Sequence, residues 1–364
     1  MVMLLEGIFA AVPTPFYPDE RVYYRKLEAN IVHYSRSLLS GMLLLGSTGE
    51  AVMLDDAESR DVLRIASEVA APDKVLIAGV ARESVKATIA LAEAAAEFRY
   101  DAVLIRTPTY FARQMTSAAV LHYFRSVADH SPLPVVIYNI PQCVPYNIPV
   151  ELVAELAQHP NIIGIKDSSG SVERIRALVE GTSGALRRTI TVTPIFAAVT
   201  GRMLAPRTEN ADELVSIGGG SHGEFHPSDK NVAKAGHPAT TQYAPIRTRT
   251  KEVGFQVLGG STATLLDSLD AGAAGGILAF AACAPQACQE VYLAWKDRDR
   301  KLAAEKQERV SAPSQRIVGQ LGISGLKHAC DFNGYYGGRA RAPLLPVSAA
   351  EKTEIEGLLA GIRN

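Results

Sequence analysis

The chain has 364 residues, of which 47% are hydrophobic and 21% are charged, and its formal net charge is −1. This composition is typical of a soluble globular protein with a large apolar core. A charge so close to zero gives no electrostatic reason to expect a nucleic acid or an anionic membrane as a partner. Because no run of eighteen apolar residues occurs, the sequence also predicts no membrane span.

The cysteines and the start of the chain indicate an intracellular protein. Cys143, Cys283, Cys288 and Cys330 form no CxxC pair and show no His/Cys spacing typical of zinc sites. The first nine residues lack a basic segment followed by a long apolar one, so they do not predict a secretory signal. We therefore expect a cytoplasmic protein.

Short apolar runs alternate with helical patterns along most of the chain. Most runs are continuous rather than alternating, as expected for parallel strands buried on both faces. Eightfold alternation of strand and helix predicts a (β/α)8 TIM barrel, with an open doubly wound sheet as the competing architecture. The predicted strands are residues 7–12, 42–45, 74–79, 102–107, 134–138, 162–166, 255–258 and 275–279. The predicted helices between them include residues 55–71, 85–98, 117–130, 149–158 and 171–181.

One segment breaks this alternation. Residues 185–249 stand between the sixth helix and the seventh strand, where a barrel needs only a few connecting residues. Within this insertion, residues 189–204 are apolar enough to pack against the barrel, and the composition of the remainder predicts loop or disorder. A helix-to-strand connection lies on the N-terminal face of a barrel, so we expect the insertion to lie away from the chemistry.

The end of the chain is predicted to be helical. Residues 287–310 show the pattern of one long charged helix, and further helical patterns follow it. We predict a barrel over residues 1–298, interrupted by the insertion, and a C-terminal helical region over residues 299–364 that packs on it.

Reactive side chains follow the predicted strands. In a (β/α)8 barrel such positions converge on the C-terminal face, where these enzymes place their chemistry. The residues concerned are Ser47, Thr48 and Glu50 after the second strand, Tyr110 after the fourth, Tyr138 and Lys166 at the ends of the fifth and sixth, and Gly259, Gly260 and Ser261 after the seventh.

Lys166 is the strongest candidate for a nucleophile. It ends the apolar run IIGIK, so its side chain should point into the barrel mouth, where desolvation favours the free amine that attacks carbonyl groups. The alternative is a structural lysine paired with a carboxylate such as Asp167. The surrounding motifs favour the catalytic interpretation.

The other candidates each have a structural alternative. The segment GSTGE, residues 46–50, offers hydroxyls and close backbone N–H groups that suit a substrate carboxylate, but it is also a plausible strand–helix turn. Tyr138 is either a proton relay or a packed core tyrosine, and the same two interpretations apply to Tyr110. Within the insertion, GGGSHG at residues 218–223 matches a dinucleotide fingerprint but is not followed by a helix. His222, Glu224 and His226 are interpreted as chance neighbours and not as a metal site.

Five segments together resemble the dihydrodipicolinate synthase/N-acetylneuraminate lyase superfamily. They are GSTGE (46–50), TPTY (107–110), YNIP (138–141), GIKDSSG (164–170) and GYYGGRARAPL (334–344). The similarity covers about residues 5–185 and 252–345, with the motifs in the family's order. The segments around 107–134, 157–170 and 321–344 look most like 4-hydroxy-2-oxoglutarate aldolase.

This resemblance implies a role for each residue. Lys166 would form a Schiff base with a small 2-oxo acid, Tyr138 would relay protons, and Ser47 and Thr48 would hold the carboxylate, with Thr48 also in the relay. Tyr110 would complete the relay from a neighbouring subunit of a homo-oligomer, a tetramer or a dimer. No metal and no other cofactor is implied. The remaining residues expected to line the substrate site are Gly49, Ser168, Gly259 and Gly260.

Departures from the family pattern bear on the substrate. Dihydrodipicolinate synthases carry an arginine after the YNxP motif for a dicarboxylate partner, and this chain has Cys143 there. Thr48 matches the neuraminate lyases better than the hydroxyoxoglutarate aldolases, and the insertion has no counterpart in either.

Four functions follow as hypotheses. The first is cleavage of a 4-hydroxy-2-oxo acid to pyruvate and an aldehyde, with glyoxylate as the first guess. The alternatives are a lyase or dehydratase for a longer sugar acid or sialic acid, a dihydrodipicolinate synthase-like condensation, and a regulatory barrel that only binds a 2-oxo acid.

Overall fold

Eight parallel strands close into a barrel in a computed structural model that describes residues 3–205 and 247–362. The barrel strands are β1 (Gly7–Ala11), β2 (Gly41–Leu44), β3 (Val75–Gly79), β4 (Ala102–Arg106), β5 (Val135–Asn139), β6 (Ile162–Asp167), β9 (Gln256–Gly259) and β10 (Gly275–Leu278). Their order around the barrel is β1-β10-β9-β6-β5-β4-β3-β2, which confirms the predicted (β/α)8 architecture. Two further strands, β7 (Arg188–Val192) and β8 (Arg249–Val253), form a separate antiparallel pair.

Helices follow the barrel strands and cover the outside of the barrel. Asp55 begins α2 with a capping box that includes Glu58, and the Ser171 side chain caps α6. The helices are α1 (Tyr24–Ser35), α2 (Asp56–Val69), α3 (Val85–Glu97), α4 (Ser117–His130), α5 (Val150–Leu156), α6 (Val172–Gly181), α7 (Gly201–Leu204), α8 (Leu265–Asp270), α9 (Pro285–Lys296), α10 (Arg300–Ser314), α11 (Gly322–Phe332) and α12 (Ala349–Leu359). In the described part of the chain, no helix is long and apolar enough to cross a membrane.

The long helix predicted over residues 287–310 is wrong, because the chain turns between α9 and α10. Arg298 has a φ of 62°, in the left-handed region that interrupts a helix. The Asp299 side chain then accepts a hydrogen bond from the Leu302 N–H at 3.0 Å and starts α10. The charged pattern runs through this turn unchanged, so it did not reveal the break.

The described part of the insertion contacts the N-terminal ends of the strands. Ile190, Val192 and Val253 pack with Leu4 into a small apolar cluster. Further along, Thr200 and Arg202 donate hydrogen bonds to the carbonyl oxygens of residues 72 and 74, just before β3. These contacts lie at the face opposite the strand ends that carry Tyr138 and Lys166. The GGGSHG segment and residues 222–226 lie outside the described residues.

The barrel interior is a packed apolar core rather than a channel. One buried cluster fills it with inward-facing side chains from all eight strands and extends to Tyr138 near the C-terminal rim. Its members on the strands include Phe9, Leu43, Ile77, Leu104, Val136, Ile163, Leu258 and Ile277. This packing closes the barrel below the site and leaves its C-terminal mouth for the chemistry.

Candidate active site

Lys166 and Tyr138 are neighbours at the C-terminal ends of β6 and β5. Their Cα atoms are register partners in the parallel pair, so both side chains leave the sheet on the same face. Only 4% of Lys166 and 6% of Tyr138 is exposed. The Lys166 Nζ atom lies 4.3 Å from the centroid of the Tyr138 ring, a cation–π distance. The structure thus brings the two predicted residues together in a desolvated setting.

Asp167 does not pair with Lys166, although it follows directly in sequence. Its buried carboxylate accepts a hydrogen bond from Arg174 Nε at 2.7 Å and one from Asn139 Nδ2 at 2.8 Å. The Ser169 N–H and hydroxyl bond its other oxygen at 3.0 Å and 2.5 Å. Among the described residues, Lys166 makes neither an ion pair nor a hydrogen bond. This arrangement disfavours the alternative of a structural, ion-paired lysine.

The GSTGE loop places Thr48 in a buried position beside the barrel mouth. Leu45 and Glu50, which flank residues 46–49, both have left-handed backbone conformations, with φ of 56° and 54°. Such conformations are strained for residues with side chains and persist where the surroundings impose them. The Thr14 hydroxyl donates to the Gly49 carbonyl oxygen at 2.7 Å and ties the loop to the end of β1. Thr48 is 6% exposed, whereas the Ser47 side chain is exposed.

A buried ion pair fixes the end of this loop to the C-terminal helices. The Glu50 carboxylate lies 2.5 Å from Lys327 Nζ, and both side chains are almost fully buried. The other Glu50 oxygen accepts the Arg341 N–H at 2.8 Å. Burial lowers the pKa of the Lys327 amine below its ordinary value, and the Glu50 carboxylate opposes that shift. The Arg341 guanidinium also binds Glu58 at 2.7 Å and 2.8 Å, which joins α2 to the same network.

Ser168, Gly259 and Gly260, which were predicted to line the mouth, lie at the C-terminal ends of β6 and β9. Position 259 faces the helix layer and not the mouth, because a Cβ atom there would lie 3.5 Å from Ser268 Cβ on α8. Gly259 is the register partner of Asp167, and the Gly260 N–H donates to the Asp167 carbonyl oxygen at 2.7 Å. A Cβ atom at Gly260 would lie 2.0 Å from Ser168 Oγ. Glycine is therefore required at position 260 for β6 and β9 to approach so closely.

Tyr110 is not brought to Lys166 within one chain. It lies on the connection after β4 with 81% of its surface exposed, beside Phe111, which is 61% exposed, at a ring-centroid distance of 5.1 Å. The Glu83 carboxylate holds this connection by accepting the N–H groups of Thr109 at 2.8 Å and Tyr110 at 2.9 Å. Burial raises the pKa of Glu83, but these N–H groups and the Arg106 guanidinium outweigh it and hold the pKa below its ordinary value.

Several residues that support the site were not predicted from the sequence. Asn139 follows Tyr138 in YNIP, and its amide bridges Asp167 and Asn147. Arg174 neutralises Asp167 from α6, and Lys327 reaches Glu50 from α11. Asn139 could have been found from its place in the YNIP motif. Arg174 could have been found because it lies seven residues after Asp167, on the helix that follows β6. No local pattern links Lys327 to Glu50.

The arrangement supplies an amine, a phenol and a threonine hydroxyl in or beside one buried mouth. These groups suit covalent catalysis on a carbonyl with proton transfer. No group of three or more His, Cys, Asp or Glu side chains that could hold a metal ion occurs within residues 3–205 and 247–362.

Comparison with known proteins gives one consistent family. Residues 4–187 and 233–361 match the model of the dihydrodipicolinate synthetase family. A protein named 4-hydroxy-tetrahydrodipicolinate synthase from Acidiphilium cryptum is 26% identical over 360 residues, which are 99% of each chain.

Solved structures agree with this fold over the whole chain. A dihydrodipicolinate synthase from Bacillus anthracis superimposes with a TM-score of 0.76 at 20% identity, covering 100% of both chains. A member of the dihydrodipicolinic acid synthase family from E. coli K12, solved in complex with pyruvate, gives a TM-score of 0.73 at 23% identity, covering 99% of both chains.

Proposed function

This chain belongs to the dihydrodipicolinate synthetase family, and from that premise we propose that it is a Schiff-base aldolase that cleaves a 4-hydroxy-2-oxo acid. The products are pyruvate and an aldehyde, with glyoxylate as the first choice of aldehyde. The observation that carries this proposal is the state of Lys166: it is buried, stands against Tyr138, and has no carboxylate partner in the described chain.

In the proposed reaction, Lys166 Nζ attacks the C2 carbonyl carbon of the substrate, and loss of water gives a protonated imine. A base that includes the Tyr138 hydroxyl removes the proton from the 4-hydroxyl group. The C3–C4 bond then breaks, its electron pair moves into the imine to form an enamine, and the aldehyde leaves. Proton return to C3 and hydrolysis by water release pyruvate and restore the amine.

The GSTGE loop is proposed to hold the C1 carboxylate of the substrate. Ser47, Thr48 and the backbone at Gly49 supply hydroxyl and N–H groups, and Thr48 also passes protons to Tyr138. At the ends of β6 and β9, Ser168 and Gly260 are proposed to line the space for the substrate chain. The E. coli relative that binds pyruvate has the same fold, which supports pyruvate as the fragment retained on the lysine.

Tyr110 is proposed to act in a neighbouring subunit of a homo-oligomer. Its ring and that of Phe111 are exposed on the connection after β4, and 81% and 61% of these residues is accessible to solvent in one chain. A subunit packed against this aromatic pair would receive the tyrosine hydroxyl at its own site.

A second candidate is the condensation of pyruvate with an aldehyde, as in the relatives named synthases. The name of the Acidiphilium cryptum relative favours it. Cys143 argues against it, because the corresponding synthase position is the arginine that binds a dicarboxylate partner. Burial raises the pKa of the Cys143 thiol, against the opposing charge of Arg106, so the thiol stays neutral near pH 7 and cannot replace that cation.

Pyruvate release from a panel of 2-oxo acids tests the proposal. The panel contains 4-hydroxy-2-oxoglutarate, 2-oxo-3-deoxy sugar acids and a sialic acid, with pyruvate measured through lactate dehydrogenase. We expect the fastest release from 4-hydroxy-2-oxoglutarate and none from the Lys166→Ala variant. Pyruvate release only from a longer sugar acid would contradict the proposal and indicate a sugar-acid lyase. Pyruvate consumption only in the presence of an aldehyde would indicate a condensation instead.

A further inference from the structure

Arg106 stands in line with the two proposed catalytic side chains. It ends β4, and its Cα atom is the register partner of Tyr138, which in turn is the register partner of Lys166. Side chains at paired positions leave the same face of a sheet, and Leu104, two residues earlier, belongs to the core inside the barrel. Arg106 therefore starts on the inner face of the barrel, at the level of the lysine. Its side chain is 15% exposed.

Part of the Arg106 guanidinium is already bound. Nη1 and Nη2 each donate to Glu83 Oε1 at 3.1 Å, and Nη1 also donates to the Thr107 carbonyl oxygen at 3.0 Å. Arginine has five N–H donors, so the Nε–H and one N–H of Nη2 remain without an acceptor among the described residues. These two form the side edge of the guanidinium, which binds a carboxylate through two parallel hydrogen bonds.

The other cations around the site are committed elsewhere. Arg174 is bound to Asp167, Arg341 to Glu58, and Lys327 to Glu50. Cys143, which replaces an arginine in the synthase pattern, brings no charge. Arg106 is thus a cation at the rim of the barrel whose guanidinium keeps one bidentate edge without an acceptor in the described chain.

We propose that Arg106 binds the distal carboxylate of the substrate and selects short 2-oxo diacids. Adjacent strands lie about 4.8 Å apart, so two strand spacings, roughly 10 Å, separate the main chains of Arg106 and Lys166. Two long side chains and a five-carbon diacid together span such a gap. The C2 atom would then sit on Lys166 while the C5 carboxylate meets Arg106, as in 4-hydroxy-2-oxoglutarate.

This assignment rests on the proposed aldolase function and adds the substrate class to it. It also differs from a purely structural role, in which Arg106 only steadies Glu83 and the connection that carries Tyr110. A structural role would slow every substrate to the same extent. Recognition of a carboxylate would slow only the substrates that carry one at C5.

The experiment compares two substrates that differ only at the distal end. These are 4-hydroxy-2-oxoglutarate and 4-hydroxy-2-oxopentanoate, in which a methyl group replaces the C5 carboxylate. In the wild-type enzyme we expect kcat/KM for the diacid to be higher by at least about 30-fold, the effect of one buried charge-assisted contact. Arg106→Ala should reduce this ratio to within about 3-fold. Arg113→Ala, which removes an exposed charge from the same connection, should leave the ratio unchanged.

A binding measurement covers the case in which Arg106→Ala folds poorly. Arg106→Lys keeps the positive charge but loses the planar pair of N–H donors. In the wild type and in this variant, 2-oxoglutarate and 2-oxopentanoate compete with pyruvate for borohydride trapping on Lys166. The wild type should prefer 2-oxoglutarate, and the variant should lose most of that preference.

Two outcomes would overturn the inference. One is an unchanged ratio in Arg106→Ala, whether or not both rates fall, and the other is a wild type that does not prefer the diacid. In each case, continued trapping of pyruvate on Lys166 would leave the Schiff-base function standing. Failure of that trapping in the wild type would instead remove the proposed function and this inference with it.

Discussion

At the residue scale, the proposed chemistry depends on the contact between Lys166 and Tyr138. The lysine amine stands against the tyrosine ring, and the neighbouring Asp167 is neutralised by Arg174 at 2.7 Å. The amine is therefore buried without a carboxylate partner in the described part of the chain, as expected of the proposed nucleophile. The tyrosine contributes two separable features, its ring and its hydroxyl.

Tyr138→Phe separates these two features. The ring stays over Lys166 Nζ, but the hydroxyl proposed to relay protons is lost, so kcat should fall by about 100-fold or more. Borohydride trapping of pyruvate on the lysine should still occur. Tyr123→Phe is the matched control, because it removes a buried hydroxyl that lies 2.9 Å from Thr88 Oγ1 behind the barrel. Wild-type turnover in Tyr138→Phe would exclude the hydroxyl from the mechanism.

The sequence predicted those site residues whose position follows from a short stretch of chain, and it missed those that depend on distant contacts. Lys166 and Tyr138 end apolar strands, and strand ends converge in a barrel, so their proximity followed from the fold alone. Arg106 also ends an apolar strand, yet it lies outside the family motifs and was overlooked. The pairing of Glu50 with Lys327 joins positions far apart in the chain. Helix and strand periodicities relate only residues that are close in sequence, so they could not predict it. Tyr110 was predicted at the C-terminal rim, where it lies. Its exposure could not be predicted, because the sequence does not determine which way a side chain points in the connection after β4.

At the element scale, the GSTGE loop is held from outside the barrel by α11. The Glu50–Lys327 pair has 1% and 0% of its side chains exposed. Breaking a buried pair from one side leaves an uncompensated charge, which is strongly destabilising, whereas removing both charges is much less costly.

Lys327→Met should lower the free energy of unfolding by about 3–5 kcal/mol, measured by urea denaturation. Adding Glu50→Gln to that variant should recover at least half of the loss. Lys306→Met is the control, since its partly exposed pair with Glu290 at 3.1 Å should be worth at most about 1 kcal/mol. Losses that simply add in the double variant would show that the two residues act independently.

Elements with a clear period were predicted within one or two residues, and the failures have physical causes. The break between α9 and α10 depends on a left-handed arginine, a conformation that side-chain patterns do not encode. The pairing of β7 with β8 joins strands on either side of a long segment, so neither strand was predicted. The barrel strands were easier to predict, because a strand that is buried on both faces has a continuous apolar sequence.

The insertion should be dispensable for turnover. Its described flanks contact the N-terminal side of β3, opposite the proposed site. Shortening a connection changes its closure entropy by only roughly (3/2)RT ln n. Replacing residues 206–246 with a short Gly/Ser linker, while keeping β7 and β8, should leave kcat within several-fold of wild type. A folded, oligomeric protein that loses turnover by orders of magnitude would mean that the insertion reaches the site.

At the scale of the whole molecule, one chain holds most of the proposed site but not all of it. Lys166, Tyr138 and Thr48 are buried in the mouth of their own barrel, whereas Tyr110 is exposed. This division predicts that activity depends on assembly.

Subunit mixing tests that division. Inactive Lys166→Ala and impaired Tyr110→Phe subunits, dissociated and reassembled together, should regenerate some sites with an intact lysine and an intact tyrosine from different chains. Each variant reassembled alone is the control. Mixed oligomers that form without any gain in activity would place Tyr110 within its own site or outside the mechanism.

Lys166 is proposed to form the covalent intermediate, and trapping of that intermediate tests the proposal directly. Wild-type protein should be incubated with pyruvate and borohydride, digested and examined by mass spectrometry, with Lys166→Ala treated in parallel. We expect a reduced pyruvate adduct on the peptide that contains Lys166 and no adduct in the variant. An adduct on another lysine, such as Lys327, or no adduct on the folded wild-type protein would contradict it.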